Sequence, residues 1–143
     1  MTIGKTSARG RSDCPICVAL DIFGDSWSLL IVRDLMLKDR KTFQDFLEAE
    51  EKIATNVLSD RLTRLERRGL LLKGRDPEDA RRFIYRLTEK GIALAPILVE
   101  MILWSARYEK TAAPPAQIRQ ISTGKDRFIA AIRASWKKKG TPQ

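Results

Sequence analysis

The chain contains no histidine. That absence removes imidazole general bases, Ser-His-Asp triads and the usual zinc enzymes. Cysteine is scarce: Cys14 and Cys17 are the two present, too few to staple an extracellular scaffold. They also lack a third and fourth ligand for zinc within one chain, so no metal and no cofactor is expected; a four-thiolate site shared by two chains is the one arrangement left. The stretch from Met1 to Arg11 has no apolar signal core, so export is not expected. Apolar runs fall short of the roughly 18–20 residues of a membrane span, so a cytoplasmic protein is expected, with no membrane partner. Internal repeats and low-complexity blocks are absent.

What is present is a chain of 143 residues, 43% apolar, with a formal net charge of +9. The length suits one domain with tails, and the apolar content supports a core. The charge is clustered. Residues 1–12 carry +3, residues 107–143 carry +7, and residues 13–106 carry −1. Within that last stretch, 13–53 nets −4 and 54–90 nets +4. Clustered basicity points to a polyanion, most simply nucleic acid.

The periodicity predicts a short helix over about 15–23, with Asp13 as cap and Pro15 in the first turn. Gly24 ends it, and Ser26 or Asp25 caps a second helix over about 26–38, apolar on more than one side and hence central. Lys41-Thr42-Phe43 reads as a very short strand, followed by a helix over about 43–51. A fourth helix runs over about 55–68 and stops at Gly69. Residues 70–75 and 82–87 flank Asp76-Pro77-Glu78-Asp79-Ala80-Arg81, which reads as a β-hairpin with a charged tip. Thr88 caps a long helix over about 89–109, with Pro96 kinking it or lying near its start. Ala113-Pro114-Pro115-Ala116 breaks it, and a basic amphipathic stretch covers about 123–138. Two helices followed by a hairpin is the winged form of helix-turn-helix. The division is a flexible basic arm (1–12), a DNA-binding and dimerisation domain (13–109) and a basic, partly helical extension (110–143). Phe128, Ile132 and Trp136 would fold that extension over a dimer, or it stays mobile.

On a wheel at 100° per residue, Leu58, Leu62 and Leu65 of the fourth helix share one face. The opposite face holds Asn56, Asp60, Thr63 and Arg67, flanked by Thr55, Ser59 and Arg64. Short polar side chains with Arg are the types that read base edges and phosphates in a major groove. A solvated outer face would look the same. The hairpin that follows adds Arg75, Arg81 and Arg82 beside its tip, a basic ribbon fit for the minor groove or backbone. Asp76, Glu78 and Asp79 would repel phosphate there, so they are expected to point away or to pair with Arg81 and Arg82.

In order along the chain stand Cys14-Pro15-Ile16, Ala19-Leu20-Asp21, Gly24, Trp27-Ser28-Leu29-Leu30-Ile31-Val32-Arg33 and Phe43. Ile53 to Leu62, Leu65 to Leu70 and Tyr85-Arg86-Leu87-Thr88-Glu89-Lys90-Gly91 follow. This ordered set resembles the HxlR-type, MarR-like winged-helix transcription regulators of bacteria, over about residues 13–109. The resemblance implies a mainly α fold with a small hairpin wing, dimerising through the first and last long helices. It implies a homodimer on a two-fold symmetric double-stranded DNA operator, most simply a repressor and not an enzyme. By position it places Thr55, Asn56, Ser59, Thr63 and Arg64 on the recognition helix, Arg61 near the backbone, and Arg81 and Arg82 on the wing. Its dimer surface would be Ile16, Leu20, Phe23, Leu98, Ile102 and Trp104 or their neighbours. Many members open the recognition helix with Ser-Pro; here Ala54-Thr55 stands there, so Thr55 is expected to cap and the start to shift.

Cys14-Pro15-Ile16-Cys17 is the one constellation with chemistry of its own. A thiol at a helix N-terminus, near Arg11 or Arg9, has a stabilised thiolate and invites oxidation. Some relatives sense oxidants or electrophiles through a Cys at the position of Cys14, and Cys17 could resolve its sulfenate or join a partner chain. The pair reads equally as two small, partly buried apolar residues. Trp27, Phe23, Trp104 and Tyr108 would line an effector pocket or, more simply, belong to the core. Two competing functions remain at this level: a thiol-disulfide redox protein using Cys14 and Cys17, and a non-specific nucleic-acid binder relying on its tails.

Overall fold

The computed structural model describes residues 10–139; the basic arm falls largely outside that range. Pro15 opens helix α1, Pro15–Phe23, in the first turn, where its missing N–H costs nothing. The expected cap does not form: Cys14 holds the N-cap position and no side chain caps the helix. Instead the capping work is done at the next corner. The Asp25 carboxylate accepts the N–H groups of Trp27 and Ser28, each at 3.0 Å, and the Ser28 hydroxyl at 2.6 Å. These bonds start α2, Ser28–Leu37, whose Ile31, Val32, Leu35 and Met36 are buried at the centre of the protein.

The strand expected at 41–43 is replaced by a capping box. The Thr42 hydroxyl accepts from Asp45 N–H while the Asp45 carboxylate accepts from Thr42 N–H. That box starts α3, Phe43–Leu47, shorter than the predicted 43–51. One strand-like bond survives, from Tyr85 N–H to the Lys41 carbonyl at 2.8 Å. Helix α4, Thr55–Arg67, buries Leu58, Leu62 and Leu65 as the wheel predicts. Thr55 is its first residue and not its cap; Ala54 holds that position. Gly69 stops the chain with φ of +78°, a conformation glycine adopts without steric cost.

Strands β1, Leu71–Arg75, and β2, Phe83–Leu87, pair antiparallel with Leu71 opposite Leu87 and Arg75 opposite Phe83. Thr88 caps the next segment, accepting from Gly91 N–H at 3.1 Å. The helix expected over 89–109 comes as two, α5, Glu89–Ile92, and α6, Ala95–Tyr108, with Pro96 in the first turn of the second. Taken end to end, Glu89–Tyr108 is long and apolar enough to cross a membrane by length and composition, contrary to the sequence reading. Here its Ile92, Ala95, Leu98 and Val99 are buried in the protein's own core.

The double proline does more than break a helix. Pro115 opens α7, Pro115–Thr123, which the sequence reading missed, and α8, Lys125–Lys138, follows. These helices pack back on the chain's own core. Ile121 and Ile132 are buried, and Phe128, Ile129 and Trp136 lie against the main core. The Trp136 indole N–H donates to the Leu87 carbonyl, and Arg86 donates to the Trp136 carbonyl, both at 2.8 Å. Thus α3 and α4 form the helix-turn-helix, β1 and β2 the wing, and α8 clasps the wing's second strand.

Candidate nucleic-acid interface

The outer face of α4 is open. Thr55, Asn56, Ser59, Thr63 and Arg64 are all exposed. No side chain caps the helix, so the N–H groups of its first turn lack a side-chain acceptor. Such groups, with the positive end of the helix dipole, favour an anion. The Thr63 hydroxyl is turned back to the Ser59 carbonyl at 3.0 Å, which spends its donor within the helix. Arg64 lies 3.9 Å from Asp60 and stays half exposed.

Arg61 differs from its neighbours. Its Nε donates to Asp25 at 2.9 Å and its side chain also pairs with Asp60. Burial pushes the Asp25 carboxyl up, but the Ser28 hydroxyl, the Trp27 N–H and Arg61 together hold it at about 2. Arg61 is therefore engaged inside the protein, fixing α4 against the corner that precedes α2.

At the wing, Asp76 and Asp79 pair with the arginines as expected. Asp76 is buried, with its side chain 1% exposed, and accepts Arg82 at 2.6 Å and Glu78 N–H at 2.9 Å. Those bonds hold its carboxyl below the ordinary carboxylate range. Arg81 bonds Asp79 at 3.1 Å yet keeps a side chain 91% exposed. Lys73 on β1 is a cation that the sequence reading missed. With Arg75 it lies over the exposed Phe83 ring, the two being 4.9 and 4.3 Å from its centroid. The signal was legible, since they stand two apart on a strand and so share a face.

A polar, uncapped helix stands beside a basic ribbon in a winged helix-turn-helix. Residues 22–113 match the profile described as HxlR-like helix-turn-helix. The chain belongs to the HxlR-like helix-turn-helix family. It is 39% identical over 90 residues to the HTH-type transcriptional regulator YvaP of Bacillus subtilis, covering 63% of this chain and 82% of that one. It is 33% identical to YodB, an HTH-type transcriptional regulator of the same organism, covering 69% of this chain and 88% of YodB. The solved reduced form of YodB matches with a TM-score of 0.56, over 68% of this chain and 95% of that one, at 31% identity. Quinone-bound and diamide-treated YodB match at 0.53 and 0.51. The redox regulator HypR in its oxidised form matches at 0.60, with 26% identity, over 68% of this chain and all of HypR. The protein is thus a transcriptional regulator of HxlR type, with α7 and α8 beyond the matched region.

Two further features of this HxlR-family chain bear on function. Cys14 is free and exposed at the N-cap of α1, and Cys17 is free and half-buried one turn on. The N–H groups of Cys17 and Ile16 lower the Cys14 thiol below its ordinary value. Arg11 bonds Asp21 at 3.1 Å, with Cys17 as its other neighbour; Arg9 lies outside the described residues. The second feature is apolar. Ile16 is 72% exposed and Trp104 62%, with Leu20 also exposed and Phe23 and Ile102 half-buried. Leu98 is the exception, buried in the core of the chain, while its neighbours Ile97 and Met101 are exposed. An open apolar groove of about 930 Å3 runs between α2 and α6. The four aromatics are not brought together: Trp104 lines the α2–α6 groove, and Trp27 lines a different cavity. Trp104 and Tyr108 are exposed on one side, so they are not core either, and Trp27 faces a void of only about 10 Å3.

Proposed function

We propose that the protein is a cytoplasmic, homodimeric repressor that binds a two-fold symmetric operator and responds to thiol oxidation. The observation that carries this reading is the exposed polar face of α4, with its open first-turn amides, set beside the cationic side of the wing. Thr55, Asn56, Ser59, Thr63 and Arg64 enter the major groove, Arg81 and Arg82 follow the backbone, and Arg61 holds the helix at its flank. Supporting the dimer, Ile16 and Leu20 on α1 and Met101 and Trp104 on α6 leave large apolar side chains exposed on the two helices expected to pair. A dimer also doubles a set of contacts that is small in one protomer.

The test is a competition gel shift on an operator found by in-vitro selection. Asn56→Ala should weaken operator binding by roughly 5- to 150-fold, about 1–3 kcal/mol, and leave random DNA unchanged. Equal loss on both DNAs would remove Asn56 from base reading and favour the non-specific binder.

The oxidation response rests on Cys14 at its N-cap, with Cys17 one turn on to resolve it. Diamide would take one hydrogen from each thiol, becoming a hydrazine while the two sulfurs join. Treated protein should lose operator affinity, recover it with dithiothreitol, and be insensitive as Cys14→Ser. YodB supports this reading, since it has been solved in diamide-treated and quinone-bound forms. Wild-type protein that keeps its affinity in diamide would end it.

A further inference from the structure

A second concavity shares no lining residue with the α2–α6 groove. It is a cleft of about 330 Å3 between the wing and the last turn of α8. That volume is at the lower end of small-ligand clefts, roughly 300–1,000 Å3. Its floor is apolar, made by Leu35, Ile84, Leu87 and Trp136. Its rim is charged, and half of those charges are already spoken for. Arg40 pairs with Asp34, Asp76 with Arg82, and Lys139 with Asp39. Among the described residues this leaves Lys41, Lys138 and Arg86 without an acid partner, against Glu78 alone.

Arg86 is the focus. It stacks on the Trp136 ring, 4.5 Å from the centroid, and one terminal nitrogen bonds the Trp136 carbonyl. Its Nε is buried with no hydrogen-bond partner, the one cationic donor so placed among the described residues. Leaving a charged donor unpaired in a buried place is costly, so the guanidinium is short of partners, and the part of Arg86 that lines the cleft is what a carboxylate would meet.

We infer that this cleft is a binding site for a small organic carboxylate with a flat apolar body. The body lies on the Trp136 side of the floor, and the carboxylate meets Arg86 and the lysine rim. Bare phosphate or a DNA backbone would satisfy the cations but waste the floor. Because Trp136 and Lys138 of α8, and Lys139 after it, line the cleft from beyond the matched residues 22–113, the site needs this chain's own extension. Any effect on DNA binding rests on the function proposed above; the site does not, and the experiment reads only the site.

The test titrates the full chain with 1-naphthoate, 1-naphthamide and inorganic phosphate by calorimetry, and follows the indole N–H signals of labelled protein by NMR. Naphthoate should bind at least about tenfold more tightly than either other probe, and should move the Trp136 signal. Arg86→Gln and Lys138→Gln should each weaken it about fivefold or more. If Arg86→Gln fails to fold, Lys138→Gln decides, since Lys138 is exposed. Absence of naphthoate binding overturns the site. So do equal binding of amide or phosphate, unchanged affinity in Lys138→Gln, and a shift confined to the Trp104 signal.

Discussion

Deleting residues 110–143 should cost about 4 kcal/mol of stability or more, and leave the winged-helix part close to unfolding. Charge alone makes that segment look like a solvated polycation, whose loss would be harmless. Its packing says otherwise. Ile121 and Ile132 are buried, Phe128, Ile129 and Trp136 cover the main core, and Lys139 donates to the Leu35 carbonyl at 3.3 Å. Truncating one buried isoleucine typically costs about 2–5 kcal/mol, and the whole stability of a domain is about 5–15 kcal/mol. The family profile ends at residue 113, so these helices lie outside the region that the family shares. In this chain the residues beneath α8 are left apolar. Urea unfolding of the chain ending at Glu109, compared with the full chain, measures the difference. Ile132→Ala should show roughly 2–4 kcal/mol of it alone. A truncated chain with an unchanged midpoint would mean that α7 and α8 are passengers.

Gly91→Ala should destabilise the protein by about 3 kcal/mol or more. An added Cβ would stand 2.1 Å from the Leu70 carbonyl oxygen and 2.9 Å from Leu87 Cδ2. The oxygen cannot retreat, because it accepts the Thr88 N–H at 3.0 Å and so closes the base of the hairpin. Overpacking against a flexible side chain costs about 1–3 kcal/mol, and backbone has less room to give. Gly124→Ala is the control: nothing lies closer than 3.5 Å to its added Cβ, and its cost should stay within about 1 kcal/mol. Equal unfolding midpoints for the two variants would show that α5 and the wing can separate without penalty.

Much of the reading surface was legible in the sequence because it is local. The wheel places Leu58, Leu62 and Leu65 inward, Gly69 needs its positive φ, and the alternation of 83–87 meets a partner strand of equal length. What was illegible is tertiary or ambiguous. Lys41 makes one sheet bond without becoming a strand, which no local pattern distinguishes. Pro114-Pro115 carries both meanings of proline, a stop and a first turn, and only the apolar residues Ile118 and Ile121 finding α6 chooses between them. The pairing of Asp76 with Arg82 was legible, but its burial, which makes it the pin of the wing loop, was not. Arg61 looked like a phosphate ligand, and a carboxylate 36 residues away claims it.

The Asp25 carboxylate has a consequence for how such a reader changes its target. It starts α2 with two oxygens and, with the same group, grips Arg61 on the buried flank of α4. The pair is a datum against which the helix is aimed. With Leu58, Leu62 and Leu65 still packed in the core, a substitution at either end should loosen this flank and tilt the outward side chains together. The letters that face the groove could then stay the same while the word they spell is changed from behind.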